Sequence, residues 1–435
     1  MSGVDASLLS DLESRGLVSQ MTGGGELSEH LSTGSRSVYC GFDPTANSLH
    51  IGSLVPLLAL RRFQLAGHKP IALVGGATGL IGDPSGKTAE RSLNDSSIVE
   101  EWVECLKRQV SVFVDFDKGA CSAKVANNLD WFEDMSTLSF LRDVGKHFSV
   151  NNMINKESVK QRLDREGEGI SYTEFTYMIL QSYDFAELYR RHNCTVQIGG
   201  SDQWGNITGG VDLVRRLHGG SAHGLTLPLV TKSDGTKFGK TESGTIWLDP
   251  ARTSPYAFYQ FWLNVADADV YRFLKFFTFL PIAQIDEVEE GDKSSSAKPV
   301  AQSVLAEHVT ELVHGSKGLE SAQRISKALF DSELGSLSES ELSQLQQDGI
   351  SSSILKNEQL SQLPLNQFLV DLGLAASGKQ VKDALSRGAI SINGVVVAEK
   401  DVMDVSAYFD VDRSYCGRYF FLKVGKKKHH LLELV

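Results

Sequence analysis

Residues 38–88 constrain the fold more than any other stretch. The apolar run Val38–Phe42 reads as a strand, Asp43, Pro44 and Thr45 turn the chain, and His50-Ile51-Gly52-Ser53 opens a helix. That helix continues through Leu54–Leu65 and ends near Gly67, before a second apolar strand at Pro70–Val74. A glycine-dense loop then passes Gly75, Gly76, Gly79 and Gly82 to Asp83 and Lys87. Strand, helix and strand, with glycine where backbone must approach a ligand closely, begin a nucleotide-binding α/β sheet. His50 and Gly52 fall in the first helical turn, where unpaired N–H groups and the positive dipole end favour a phosphate.

Both common phosphate fingerprints fail nearby. Gly82–Thr88 resembles a P-loop, but that motif needs glycine at 81, where the chain has Ile81. Gly76, Gly79 and Gly82 are three apart and miss the G-x-G-x-x-G spacing. An ATP site must therefore use other parts. One is the helix start at His50; another is Lys237-Phe238-Gly239-Lys240-Thr241, two lysines three apart in a glycine-containing loop. Such a loop is by default a charged surface turn, and an anion clamp is the sharper reading.

Ser171–Arg191 reads as a largely buried helix on which Tyr177, Gln181 and Asp184 share one face. Buried polar groups need partners, since each unpaired one costs about 1–3 kcal/mol. Other side chains and a ligand satisfy that need equally well. The strand Thr195–Ile198 leads into Gly199-Gly200-Ser201-Asp202-Gln203-Trp204-Gly205-Asn206, which puts polar groups where open α/β sheets bind ligands. Elsewhere, Met1–Arg36 reads as one short helix, Ala6–Arg15, and a flexible turn at Gly23-Gly24-Gly25. Phe140–Arg165 reads as further helix, and from Ser254 the chain turns helical and aromatic, with helices at Val300–His314 and Leu319–Leu329. Ser332–Ser353 is rich in Ser and Glu, as a linker is, with a short helix at Glu339–Gln346. The last unit has helices Leu365–Leu372 and Lys379–Arg387 and strands Ala389–Ile392 and Val395–Val397 about an Asn393-Gly394 hairpin turn, then a strand at Tyr419–Val424.

Bulk composition narrows the class. At 435 residues there is room for about three domains. No N-terminal segment has the pattern of a secretory signal, and no apolar run is long enough to span a membrane. Cys40, Cys105, Cys121, Cys194 and Cys416 form no C-x-x-C pair, which fits reduced thiols in a cytoplasm and no structural zinc. The net charge of −11 excludes a chain that coats nucleic acid throughout, yet the residues from Lys379 onward carry +3. A basic tail on an acidic body points to a nucleic-acid partner for the tail.

His50-Ile51-Gly52-Ser53 resembles the HIGH signature of class I aminoacyl-tRNA synthetases, and Lys237–Thr241 resembles their KMSKS loop. With Tyr39-Cys40-Gly41-Phe42-Asp43-Pro44-Thr45 and Gly199–Asn206, the chain is similar over nearly its whole length to the bacterial-type tyrosyl-tRNA synthetases. Serine at 53 departs from the histidine or asparagine usual there, and is a shorter hydrogen-bonding group. The resemblance implies a Rossmann-like parallel-sheet catalytic domain over 1–248, with its HIGH-like segment at 44–53 and KMSKS-like segment at 237–241. It further implies an α-helical anticodon-binding domain over 249–331, a linker over 332–360, and a small α+β S-four-like RNA-binding domain over 361–435.

The implied activity is tyrosine activation by ATP with Mg2+, then transfer of tyrosyl to tRNA(Tyr), by a cytoplasmic homodimer with no membrane association and no tightly bound cofactor. Dimer contacts would involve part of Phe140–Arg165. Carried over by position, Thr45, His50, Lys87, Lys237, Lys240 and Thr241 act on the phosphates. Tyr39 and Asp184 hold the substrate phenol, Tyr177, Gln181 and Asp83 hold its ammonium, and Gln203 lies near. Gly41, Asp43, Gly52, Ser53, Gly200, Asp202 and Lys240 suit ATP or the adenylate. No metal ligands are implied. Two rivals are a synthetase-like RNA-binding protein without catalysis, which only Ser53 favours, and a tryptophanyl enzyme, which Tyr39 and Asp184 disfavour.

Overall fold

The computed structural model describes residues 4–84, 95–156, 159–160, 163, 170–236, 238–241, 244–294, 296, 299–331, 333–356, 364–397, 408–425 and 428–435. Contacts group the chain into two units, one of 1–249 with 266–301 and one of 250–265 with 302–435. These boundaries cut across the 249–331 helical region expected from the sequence, because the 250–265 and 266–301 segments join different cores.

In the first unit, β1 (Gln20–Met21), β2 (Ser37–Phe42), β3 (Lys69–Val74), β4 (Lys124–Asn127), β5 (Cys194–Gly200) and β6 (His223–Leu227) make one sheet in the order β1-β6-β5-β2-β3-β4. Helices Leu54–Leu65, Ser96–Val110, Tyr172–His192 and Trp204–His218 lie between successive strands from β2 to β6. Every pairing among those five strands is parallel, as such crossovers require, and only β1 runs antiparallel. β3 and β5 are buried along nearly their whole length, the pattern of a sheet covered on both faces. The order reverses at β2: the chain builds outward through β3 and β4, then returns to add β5 and β6 on the other side. That reversal opens a crevice at the carboxyl ends of β2 and β5. A two-stranded hairpin, β7 (Lys240–Thr241) with β8 (Gly244–Thr245), follows β6.

Two expectations for this unit need correction. Phe140–Arg165 is not one helix. A π turn at Phe140–Val144 and a 3-10 turn at Gly145–His147 interrupt it, and Ser149 starts a new short helix, Val150–Ile154. Gly145 stands where regular helix gives way, and glycine lowers helix propensity by about 1 kcal/mol. Parts of 157–169 lie outside the described residues. The opening also holds a second helix, Gly24–Ser32, which buries Leu27 and Leu31; Gly23 caps it in a left-handed conformation.

The second unit pairs helix Pro255–Leu263 with most of helix Ala301–Asp331, which breaks at Gly315 (φ 73°, ψ 175°) between the two helices read from the sequence. Its sheet runs β11 (Val395–Val396), β10 (Ile390–Ile392), β12 (Tyr419–Val424), β13 (Lys428–Leu434), β9 (Ser352–Leu355). Asn393 and Gly394 both take positive φ in the β10–β11 turn, as an Asn-Gly hairpin needs. The 332–360 stretch is no free linker where it is described. Leu334, Leu337, Leu342 and Leu345 bury against Tyr256, Tyr419, Phe421 and Leu431, and β9 completes the sheet beside β13. Its Ser and Glu residues serve as caps: Ser338 and Glu341 form a capping box on helix Glu339–Gln344.

Candidate active site

Polar side chains converge on the crevice at the carboxyl ends of β2 and β5. Asp43, just past β2, accepts the Tyr177 hydroxyl (2.6 Å) and the Thr78 hydroxyl (2.7 Å). Asn128, just past β4, donates to Thr78 (2.9 Å) and to Asp184 Oδ2 (3.1 Å), while the Trp131 indole donates to Asp184 Oδ1 (2.9 Å). On the β5 side, Gln203 donates to Asp83 (2.8 Å), and Asn206 donates to both Gln181 (2.9 Å) and Gln203 (3.2 Å). Gly75 lies where a side-chain carbon would collide with Asp43 and Thr78, so glycine is what lets β3 end against this network.

Carboxyl groups crowd the crevice: Asp43, Asp83, Asp184 and Asp202 all belong to its hydrogen-bond network. Burial, with Asp43 adding repulsion, holds the Asp184 carboxyl well above its usual range, against the pull of its Asn128 and Trp131 hydrogen bonds. Burial and then Asp83 push Asp202 up. Burial, Asp43, Asp83 and Asp184 all raise the Tyr177 phenol. Such mutual repulsion is relieved by a bound cation. Tyr39 on β2 is fully buried, and its pKa is raised by burial and by Asp184. Among the described residues its hydroxyl finds no hydrogen-bond partner, an unusual state for a buried polar group.

The second cluster gathers at His50. The helix begins one turn later than the sequence implies: Ile51–Ser53 is a 3-10 turn, and His50 caps it by accepting the Gly52 amide on Nδ1 (3.0 Å). In the neutral ring this places the proton on Nε2, making that nitrogen a donor. His50 bridges Trp247 as an antiparallel neighbour, and the Ile51 amide donates to the Ile246 carbonyl (3.0 Å). The Ile246 amide in turn donates to Gly239 (3.1 Å), so the lysine loop lies beside the HIGH-like segment. Phe238 anchors that loop with ring contacts to Phe273 (5.0 Å) and Phe277 (5.3 Å).

The structure thus brings Tyr177, Gln181, Asp184, Asp43, Asp83, Asp202 and Gln203 to one crevice with Gly200, and places Tyr39 next to Asp184. Thr45 and His50 are exposed, with Gly52 and Ser53 partly so. Gly41 is exposed on β2. Lys240 and Thr241 form β7, while Lys87 and Lys237 lie outside the described residues. Sequence reasoning missed Thr78, Asn128 and Trp131. Asn128 and Trp131 follow the carboxyl end of β4, the one signal that could have flagged them.

A model of class I tRNA synthetases (W and Y) matches residues 31–331, and one of the tyrosine–tRNA ligase C-terminal domain matches 341–432. Tyrosine–tRNA ligases of Aliivibrio salmonicida and Klebsiella pneumoniae are 59% and 57% identical to this chain, each alignment covering 98% of both chains. The crystal structure of a C-terminally truncated Aspergillus nidulans mitochondrial tyrosyl-tRNA synthetase is 31% identical, covers 74% of this chain and 94% of its own, and superposes with a TM-score of 0.67. A parallel sheet with its polar crevice at the switch point, a lysine loop laid against a HIGH-like turn, and relatives of this identity over the full length place the chain among the bacterial-type tyrosyl-tRNA synthetases of class I.

Proposed function

We propose that the chain is a tyrosine–tRNA ligase that forms tyrosyl-adenylate from L-tyrosine and ATP, then charges tRNA(Tyr). One observation carries the site assignment. The crevice gathers the hydrogen-bonding carboxyls of Asp43, Asp83 and Asp184 around Tyr177 and adjoins the buried Tyr39 phenol, which suits an amino acid bearing an ammonium and a hydroxyl. Tyr39 and Asp184 read the substrate phenol, and Tyr177, Gln181 and Asp83 take the ammonium, with Gln203 holding Asp83 in place. Asp202, Gly200 and Gly41 face ribose and adenylate. Asp43 orients Tyr177 through its hydrogen bond.

In the first step the tyrosine carboxylate oxygen attacks the α-phosphorus of ATP, and pyrophosphate leaves. A ribose hydroxyl of the terminal adenosine then attacks the activated carbonyl and releases AMP. Neither step needs a protein nucleophile. Positioning and stabilisation of developing phosphate charge supply the rate, through Thr45, His50, Gly52, Ser53, Lys87, Lys237, Lys240 and Thr241. ATP is taken as its magnesium complex, the ion travelling with the substrate phosphates. A pocket that hydrogen-bonds a hydroxyl rejects the analogue lacking it, and tyrosyl-tRNA synthetase against phenylalanine is itself the standard worked case of that rule.

Tyrosine-dependent exchange between pyrophosphate and ATP tests this reading. Lys240→Ala is expected to slow adenylate formation by about 10²-fold, with tyrosine affinity nearly unchanged. Wild-type single-turnover activation by that variant would remove the lysine loop from the chemistry.

The working assembly is a homodimer in the cytoplasm, where the five unpaired cysteines stay reduced. Its interface includes part of Phe140–Arg165, where Leu141, Val150 and Ile154 present apolar surface, with Leu138 (79% exposed) and Tyr172 (71% exposed) flanking that stretch.

A further inference from the structure

We propose that Glu187 is a positioning residue for tyrosine recognition: through Tyr183 and Arg191 its carboxylate holds the 129–132 turn so that Asn128 and Trp131 keep both oxygens of Asp184 occupied. This rests on the assignment of Asp184 to the substrate phenol.

Glu187 follows Asp184 by three residues on the Tyr172–His192 helix, so reader and clamp leave neighbouring positions of one helical face. Its side chain is only 7% exposed, and both oxygens are engaged. Oε1 accepts the Tyr183 hydroxyl (3.1 Å) and Arg190 Nε (3.1 Å); Oε2 accepts Arg190 Nη2 (2.7 Å) and Arg191 Nε (2.8 Å). Arg190 alone is enough to neutralise the carboxylate. The other two partners do something further, because each reaches a side chain of the short helix Leu129–Phe132. The Arg191 guanidinium sits 5.3 Å from the centre of the Trp131 ring system, and the Tyr183 ring lies 5.6 Å from Phe132.

A four-residue helix has too little hydrogen bonding of its own to stay formed, and must be held by tertiary contacts. Arg191 and Tyr183, both held by Glu187, supply two of them at adjacent residues. The first of these also acts on the donor itself. A cation over the indole face draws electron density from the ring, which strengthens the N–H that Trp131 gives to Asp184. With both its oxygens held from one side, the carboxylate keeps a fixed orientation towards Tyr39 and the substrate hydroxyl. Phenylalanine, lacking that hydroxyl, does not draw on this arrangement. Loss of the clamp therefore weakens tyrosine and leaves phenylalanine nearly as before, which simple loss of stability does not do.

The test uses the full-length enzyme and compares kcat/KM for tyrosine and phenylalanine in the pyrophosphate exchange assay, with thermal melts to confirm folding. Arg191→Met, at a partly exposed position, and Glu187→Ala are each expected to lower the tyrosine-to-phenylalanine ratio by about tenfold, mainly through KM for tyrosine. Arg191→Lys should recover part of the loss. In a Trp131→Phe background, which lacks the indole donor, Arg191→Met should add little. Unchanged ratios in folded Arg191→Met and Glu187→Ala, or losses that simply add to that of Trp131→Phe, overturn the proposal. Asp184→Asn is the control: if it alone leaves the ratio intact, the phenol assignment is what fails.

Discussion

The Tyr39 hydroxyl is buried beside Asp184 and has no hydrogen-bond partner among the described residues. Leaving such a group unpaired costs about 1–3 kcal/mol, so its removal is expected to stabilise the fold. Tyr39→Phe is expected to match or exceed the wild-type melting temperature without tyrosine, while weakening tyrosine binding by roughly tenfold in calorimetry. Two further residues, His68 and His30, contribute to the response to acid. His68 is fully buried and accepts the Arg36 amide on Nδ1 (3.2 Å); burial, then Arg36 and His30, bring its pKa down to about 4. Burial, Arg36 and His223 bring His30, bonded to Thr195, to about 4 as well. The folded state thus keeps both rings neutral where the unfolded chain, with a histidine pKa of about 6.5, already binds protons. Their contribution is complete above pH 6.5 and is lost as pH falls towards 4. Urea midpoints should drop across that window, and His68→Asn, which can accept the same amide hydrogen without charging, should flatten part of the slope.

At the scale of elements, the lysine loop is positioned by its contact with the HIGH-like turn. Gly239 has φ 78° and packs so closely on Ile51 that a side-chain carbon would collide with it. Gly239→Ala is expected to slow adenylate formation by at least about tenfold through loop displacement, leaving tyrosine binding intact. Ile51→Ala in the same chain should recover only part of the rate, since the backbone strain remains; full recovery would assign the whole effect to the collision. The adjacency of these two elements was foreseeable only as a requirement of chemistry, since almost 190 residues separate them. What was legible was local. The strand–helix–strand start, the Tyr177–Gln181–Asp184 stripe, the break near Gly315 and the Asn393-Gly394 hairpin each leave a signal within a few residues. Thr78, Asn128 and Trp131 do not, because they matter through bonds to residues some 35 to 56 positions away. The π turn at Phe140–Val144 was illegible for another reason: its apolar spacing is the same as a regular helix would show.

For the whole molecule, the exposed Leu138, Leu141, Val150, Ile154 and Tyr172 are where the proposed homodimer is tested. Leu138→Asp is expected to shift sedimentation at micromolar concentration from dimer to monomer, with folding of the single chain intact by circular dichroism; a dimer as stable as wild type would place the interface elsewhere. Among the described residues no helix is long and apolar enough to cross a membrane. The path of the backbone has its own consequence. It leaves the first unit at 249, returns at 266 and departs for good after 301. On a ribosome adding about 5–20 residues per second, the last piece of that unit is made seconds after the strands that await it. Meanwhile the intervening 16 residues, Pro250–Val265, emerge long before most of their own unit, so the aromatic Pro255–Leu263 helix is made well ahead of the core that buries it.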